Sequence, residues 1–137
     1  MDIGMVGLGK MGGNMARRLS RNGHRVVGYT RSFSNAEQIA AEEENVLAAR
    51  SLEQLVSELP APRAVWLMVP AGEITENSVR MMLALLDSGD ILIDGGNSNY
   101  KDTVRRGAMA ADAGVHFVDV GTSGGIWGLK EGYSMMI

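Results

Sequence analysis

The chain opens with Asp2-Ile3-Gly4-Met5-Val6 and runs straight into Gly7-Leu8-Gly9-Lys10-Met11-Gly12, after which an amphipathic helical pattern starts at once. A short apolar strand, a G-x-G-x-x-G turn and a helix start leave few folds open, because this is how the first βα unit of a parallel sheet is built. Each glycine has its own physical task. Gly7 permits the tight turn, Gly9 lets the backbone approach a pyrophosphate, and Gly12 lets the helix pack hard against the strand. The helix N-terminus adds unpaired N–H groups and the positive end of a dipole. Gly7, Leu8, Gly9, Lys10, Met11 and Gly12 are therefore the first candidate ligand contacts.

The remainder of the chain keeps the same rhythm. Further strands are expected at Arg25–Tyr29, Val46–Ala48, Arg63–Met68, Asp90–Asp94 and His116–Val120, after a first one at Asp2–Met5. Between them lie helical patterns: Met11, Met15 and Leu19 on one face of the first, ended by Asn22-Gly23. Ser34-Asn35-Ala36-Glu37 and Ser51-Leu52-Glu53-Gln54 read as capping boxes that open the second and third. Pro60-Ala61-Pro62 stops the third, and Val79, Met82, Leu83 and Leu86 form the buried face of the fourth. Asn99 or Ser98 caps a fifth that buries Val104, Ala108 and Ala111. Alternating strands and helices predict an α/β fold, a Rossmann-type doubly wound parallel sheet, as one dinucleotide-binding domain over residues 1–137.

Composition narrows the class of partner. A net charge of −3 gives no reason to expect nucleic acid or an anionic membrane, and no apolar run is long enough to span a bilayer. No signal peptide is visible, so a cytoplasmic protein is the expectation. The absence of cysteine removes thiol chemistry and thiolate metal sites; His24 and His116 stand far apart and read as turn residues, so no metal is expected. Glu42-Glu43-Glu44 reads as a solvated helix end. Ser134-Met135-Met136-Ile137 looks like another strand beginning, which suggests a piece of a longer protein; a short edge strand closing a small complete one is the alternative.

The second predicted strand ends in Thr30-Arg31-Ser32, where NAD-binding folds place a carboxylate on the ribose 2′-hydroxyl. With no acid there to repel a 2′-phosphate, Arg31 can pair with it, and Thr30 and Ser32 add hydroxyl donors. NADP is thus favoured, with NAD possible. Three further turns, Val69-Pro70-Ala71-Gly72, Asp94-Gly95-Gly96-Asn97-Ser98 and Val120-Gly121-Thr122-Ser123-Gly124-Gly125, belong at the carboxyl edge of a parallel sheet, around the crevice where ligands bind. Their Asn, Ser and Thr side chains suit a hydroxylated or anionic small molecule.

Gly7–Gly12, Ile93-Asp94-Gly95-Gly96-Asn97-Ser98 and Asp119-Val120-Gly121-Thr122-Ser123-Gly124-Gly125, in this order and spacing, resemble the 6-phosphogluconate dehydrogenase family. Gly125-Ile126-Trp127-Gly128-Leu129-Lys130-Glu131-Gly132-Tyr133 resembles its shorter decarboxylating branch. The likeness covers the whole chain but only the family's N-terminal cofactor domain. It implies oxidation of the C3 hydroxyl of 6-phosphogluconate by hydride transfer to a nicotinamide, then loss of CO2 to give ribulose 5-phosphate. It also implies that Val69, Pro70 and Ala71 wall the nicotinamide side, that Asn97 lies between nicotinamide and substrate, and that Ser123, Gly124 and Gly125 hold the sugar acid. The family's lysine base and glutamate acid lie in an all-helical part past Ile137, so this chain alone is expected to be inactive and the full-length protein to be a homo-oligomer. Thr30, Pro70 and Ile126-Trp127 depart from the family's usual residues. Two other readings compete: a β-hydroxyacid dehydrogenase domain of the 3-hydroxyisobutyrate type, and a non-catalytic dinucleotide-binding module. Asp94-Gly95-Gly96-Asn97 argues against the first, whose members tend to carry Ser-Thr there.

Overall fold

The computed structural model describes residues 1–137, the side chain of Ile126 excepted. In chain order it contains β1 (Asp2–Val6), α1 (Lys10–Arg21), β2 (Arg25–Tyr29), α2 (Phe33–Glu42), β3 (Val46–Ala48) and α3 (Leu52–Ser57). Then come β4 (Ala64–Leu67), α4 (Glu73–Leu83), β5 (Ile91–Asp94), α5 (Tyr100–Asp112) and β6 (His116–Asp119). The last part holds β7 (Gly121–Ser123), one 3-10 turn (Gly125–Trp127), α6 (Gly128–Glu131) and β8 (Ser134–Met136). Among the described residues no helix is long and apolar enough to cross a membrane.

Six strands form one sheet in the order β3-β2-β1-β4-β5-β6, every pair parallel. The chain steps outward from β1 to β3, then returns across the sheet to β4 and steps the other way. Right-handed crossovers put the helices of the two excursions on opposite faces. One apolar cluster accordingly joins Leu52, Leu55 and Val56 of α3, Val79 and Met82 of α4 and Ala110 of α5 to Val27, Val65, Leu67 and Leu92. The other joins Met15 and Ala16 of α1 and Ala36 and Ile39 of α2 to Ile3, Met5, Val26 and Trp66. The β1/β4 boundary is the topological switch point of a doubly wound sheet, and the carboxyl ends of the strands open on one rim.

Several local expectations need correction. α2 begins at Phe33 with Ser32 as its N-cap residue, because Ser32 already has the extended backbone a cap needs; the Ser34 hydroxyl meets that of Ser32 at 3.0 Å rather than capping. The box at Ser51 does form: Ser51 Oγ accepts from Gln54 N at 3.1 Å, while Gln54 Oε1 accepts from Arg50 N at 2.8 Å, one residue before the cap. Of the residues expected inside α5, Val104 (70% exposed), Ala108 and Ala111 all face solvent. The buried face is turned to Arg106 and Ala110, because Arg106 is drawn inward by carboxylates. Glu43 is buried, since the extended backbone after α2 turns it onto Arg21 of α1. Leu86 is buried beyond the end of α4, on the turn that leads to β5.

The C-terminal strand exists but does not extend the parallel sheet. β8 pairs antiparallel with β7, with Thr122 opposite Met135. Gly121–Ser123, read from sequence as a turn, is thereby a strand.

Candidate functional site

The β1–α1 turn is held by Gly7, whose φ is +94° and whose N–H donates to Tyr29 O at 2.8 Å at the end of β2. A Cβ on Gly12 would sit 1.9 Å from Gly7 O, so any side chain there would drive α1 off the strand. Gly9 differs in kind: a Cβ there would meet nothing within 4 Å. The fold does not need a glycine at that place, and a ligand that approaches the backbone does. No side chain caps the α1 N-terminus and no acidic residue lies in its first turn. Lys10 and Met11 lie in that first turn, and Leu8 is buried beneath it. The cradle fits a pyrophosphate by the chemistry of its donors.

Beside it lie Thr30, Arg31 and Ser32, past the end of β2. Arg31 and Ser32 are exposed, and among the described residues Arg31 has no ion pair or hydrogen bond. Its guanidinium is free for a phosphate.

Toward the other side, the loops after β1, β4 and β5 and strand β7 close on one another in sequence. A Cβ on Gly7 would be 2.3 Å from Met68 O, and one on Gly96 would be 2.8 Å from Val69 O. Val69 is half-buried while Pro70 and Ala71 are exposed on the rim, with Pro70 O accepting from Thr75 Oγ1 at 2.8 Å. Asn97 has φ +56° and uses both ends of its amide on one residue: Oδ1 accepts from Thr122 N at 2.9 Å, and Nδ2 donates to Thr122 O at 3.2 Å. A side chain here mimics a neighbouring strand and ties the β5 loop to β7. Asn97 and Ser123 line a cavity of about 350 Å³ with Thr122, whose buried Oγ1 has no hydrogen-bond partner among the described residues. Gly124 and Gly125 continue from it at positive φ into the 3-10 turn.

Sequence reasoning missed what holds these loops in place. Arg106 is 1% exposed and its guanidinium ties together α4, the turn before it and the end of β5 with its loop. Nε donates to Glu76 Oε2 (3.0 Å), Nη1 to Asp94 Oδ2 (3.2 Å) and Ser98 Oγ (2.9 Å), and Nη2 to Gly72 O (3.1 Å). Asp94, fully buried, also accepts from Gly96 N at 3.0 Å and Ser98 Oγ at 2.7 Å. A hydrogen bond from Arg105, opposed by burial and reinforced by Arg106, pulls the Glu76 carboxyl down to about 2. The only sequence signal for Arg106 is an arginine on a helix that follows a buried aspartate turn, and solvated arginines look the same. Lys130 and Glu131, which the motif comparison leaves without a role, are exposed and face each other at 3.5 Å.

Comparison with known proteins agrees with this geometry. Residues 2–137 match the family described as the NAD binding domain of 6-phosphogluconate dehydrogenase. The decarboxylating 6-phosphogluconate dehydrogenase of Haemophilus ducreyi is 44% identical over 98% of this chain, which spans 28% of that protein. The 6-phosphogluconate dehydrogenase of Plasmodium falciparum, solved in apo form and with NADP+ and 6-phosphogluconate, superposes with a TM-score of 0.91 at 31% identity, over 99% of this chain and 30% of its own. The 3-hydroxyisobutyrate dehydrogenase of Mycobacterium tuberculosis gives a TM-score of 0.80 at 31% identity, over 93% of this chain and 42% of its own. The chain thus spans under a third of the 6-phosphogluconate dehydrogenases it matches. It belongs to the family of NAD-binding domains of 6-phosphogluconate dehydrogenase.

Proposed function

We propose that this chain is the cofactor-binding domain of a decarboxylating oxidoreductase of the 6-phosphogluconate type, and that its cofactor is NADP. The observation that carries the reading is Gly9, a glycine with open space above it at the uncapped start of α1, between two glycines the fold requires. In this reading Gly7–Gly12 hold the pyrophosphate, Thr30, Arg31 and Ser32 the adenosine 2′-phosphate, and Val69, Pro70, Ala71 and Asn97 the nicotinamide side. When bound, the nicotinamide supplies the hydride acceptor for a secondary alcohol. The chain's own part is to bind, orient and exclude water. Ser123, Gly124 and Gly125, with the unpartnered Thr122 hydroxyl beside them, offer neutral groups to a sugar acid.

The resemblance assigns proton transfer to a lysine and a glutamate outside these residues. The chain on its own therefore binds cofactor without turning over substrate, and the full-length cytoplasmic enzyme is a homo-oligomer. The likeness to a 3-hydroxyisobutyrate dehydrogenase supports a second reading. It is weakened by Asp94, whose carboxylate anchors the Gly96 N–H and Ser98 in a loop built around this family's motif. Turnover of 6-phosphogluconate and not 3-hydroxyisobutyrate by the full-length protein separates the two.

The direct test is calorimetric titration with NADPH of the wild-type chain and of Gly9→Ala. The variant should melt at the wild-type temperature and bind at least about tenfold more weakly, because a methyl group displaces the phosphate from one or more charge-assisted bonds. Wild-type protein that ignores NADPH, or a variant that binds as well as wild type, would refute the reading.

A further inference from the structure

A second arginine stands beside the adenosine corner. β2 and β3 run parallel with Gly28 opposite Ala48, and Ala49 N donates to Gly28 O at 2.9 Å. Arg50 lies two residues past Ala48, as Thr30 lies two past Gly28, so both leave the carboxyl ends of adjacent strands. Arg50 is therefore on the same rim as Thr30, Arg31 and Ser32, although α2 and β3 separate them along the chain.

Its side chain is arranged rather than loose. The backbone N–H of Arg50 is held by Gln54 Oε1 at 2.8 Å, and the guanidinium carbon lies 4.0 Å from the ring centroid of Phe33. Phe33 is the first residue of α2, next to Ser32 and Ser34. Stacking on an aromatic face restricts a guanidinium without using its N–H groups. The one carboxylate near it is Glu37, at 3.9 Å between two exposed side chains, which is too long and too wet to hold it. Among the described residues Arg50 donates no side-chain hydrogen bond, and it remains 73% exposed. No acidic residue lies in the first turn of α2. A fixed cation with all its donors unspent, beside a second free arginine and two hydroxyls, suits a doubly charged phosphate.

We propose that Arg50 is a contact of the 2′-phosphate, acting with Arg31 from the neighbouring strand, and that it sets the preference for NADP over NAD. The inference rests on the dinucleotide reading above and deepens it. Arg31 alone would hold the phosphate from one side; Arg50 closes the other side, with Phe33 as its rest.

The test uses the adenosine half of the cofactor, so that it does not depend on the nicotinamide pocket. Adenosine 2′,5′-bisphosphate and AMP are titrated by calorimetry into the wild-type chain, Arg50→Ala and Arg50→Lys, with melting temperatures as the check on folding. Because Arg50 is exposed, both variants should fold. The wild type should prefer the bisphosphate. Arg50→Ala should weaken the bisphosphate about tenfold, the worth of one charge-assisted bond, and leave AMP within about twofold. Arg50→Lys should recover part of the loss. Equal losses for both ligands, no loss, or a wild type that does not distinguish them would overturn the role of Arg50 while leaving a nucleotide site. A wild type that binds neither ligand would overturn the cofactor reading itself, and this inference with it.

Discussion

At the scale of single residues, Asn97 shows how a motif position serves the fold before it serves a ligand. The resemblance puts it between nicotinamide and substrate, yet its amide already makes two bonds to the backbone of Thr122, from a left-handed backbone. What is left for a ligand is the second N–H and the second lone pair. Asn97→Ala should destabilise the chain by about 2 kcal/mol or more, through the lost bonds and because alanine tolerates the left-handed backbone less well than asparagine. Asn97→Gly loses the same bonds without the steric penalty and should be less damaging by about 1 kcal/mol. Urea unfolding of the two variants measures both terms, and equal stabilities would refute the backbone contribution. The sequence marked Asn97 as a candidate site residue because its motif is distinctive. It could not show Arg106, because only the folded positions of Glu76, Asp94 and Gly72 distinguish it from a solvated arginine.

At the scale of elements, the parallel strands and the starts of α3 and α5 were legible because alternation and the caps at Ser51 and Asn99 are local signals. β2 and β3 fall on their expected bounds, and the other four strands of the main sheet fall within one residue at each end. The face of α5 was not legible. Its apolar pattern points to Val104, Ala108 and Ala111, and the ion pairs of Arg106 outweigh that pattern and rotate the helix. β7 was hidden for another reason: Gly, Thr and Ser make a poor strand by composition, and only pairing with β8 and with Asn97 makes it one. The α4–α5 junction also carries a pH signature. Glu76 on α4 has its carboxyl held at about 2, against 4.5 for the ordinary group, chiefly by the hydrogen bond from Arg105. A folded value below the unfolded one means the stabilisation is complete above about pH 4.5 and is lost as pH falls toward 2. The shift corresponds to about 3 kcal/mol at most. Denaturant unfolding of wild type and Glu76→Gln should therefore converge between pH 5 and about pH 2, and curves that stay parallel would contradict the linkage.

At the scale of the whole molecule, the two faces of the sheet are unequally clad. Three helices cover one face, while α1 and α2 cover the other only over β1 to β3, leaving a groove of about 730 Å³ where Ile3, Met15, Trp66, Ile93 and Tyr133 meet Met135. The indole N–H of Trp66 and the hydroxyl of Tyr133 are both buried there without partners among the described residues. The rim, in contrast, is orderly. Because the strands stand as β3-β2-β1-β4-β5-β6, the candidate contacts run along it as Arg50, Thr30 to Ser32, Gly7 to Gly12, Val69 to Ala71 and Asn97. In the proposed reading, strand order is a graduated scale for a two-headed ligand, with adenine at one end and the reacting ring at the other. Each half should light up its own stretch of an amide spectrum: AMP the residues near Arg50 and Thr30, nicotinamide mononucleotide those near Val69 and Asn97, with only the glycine turn answering to both.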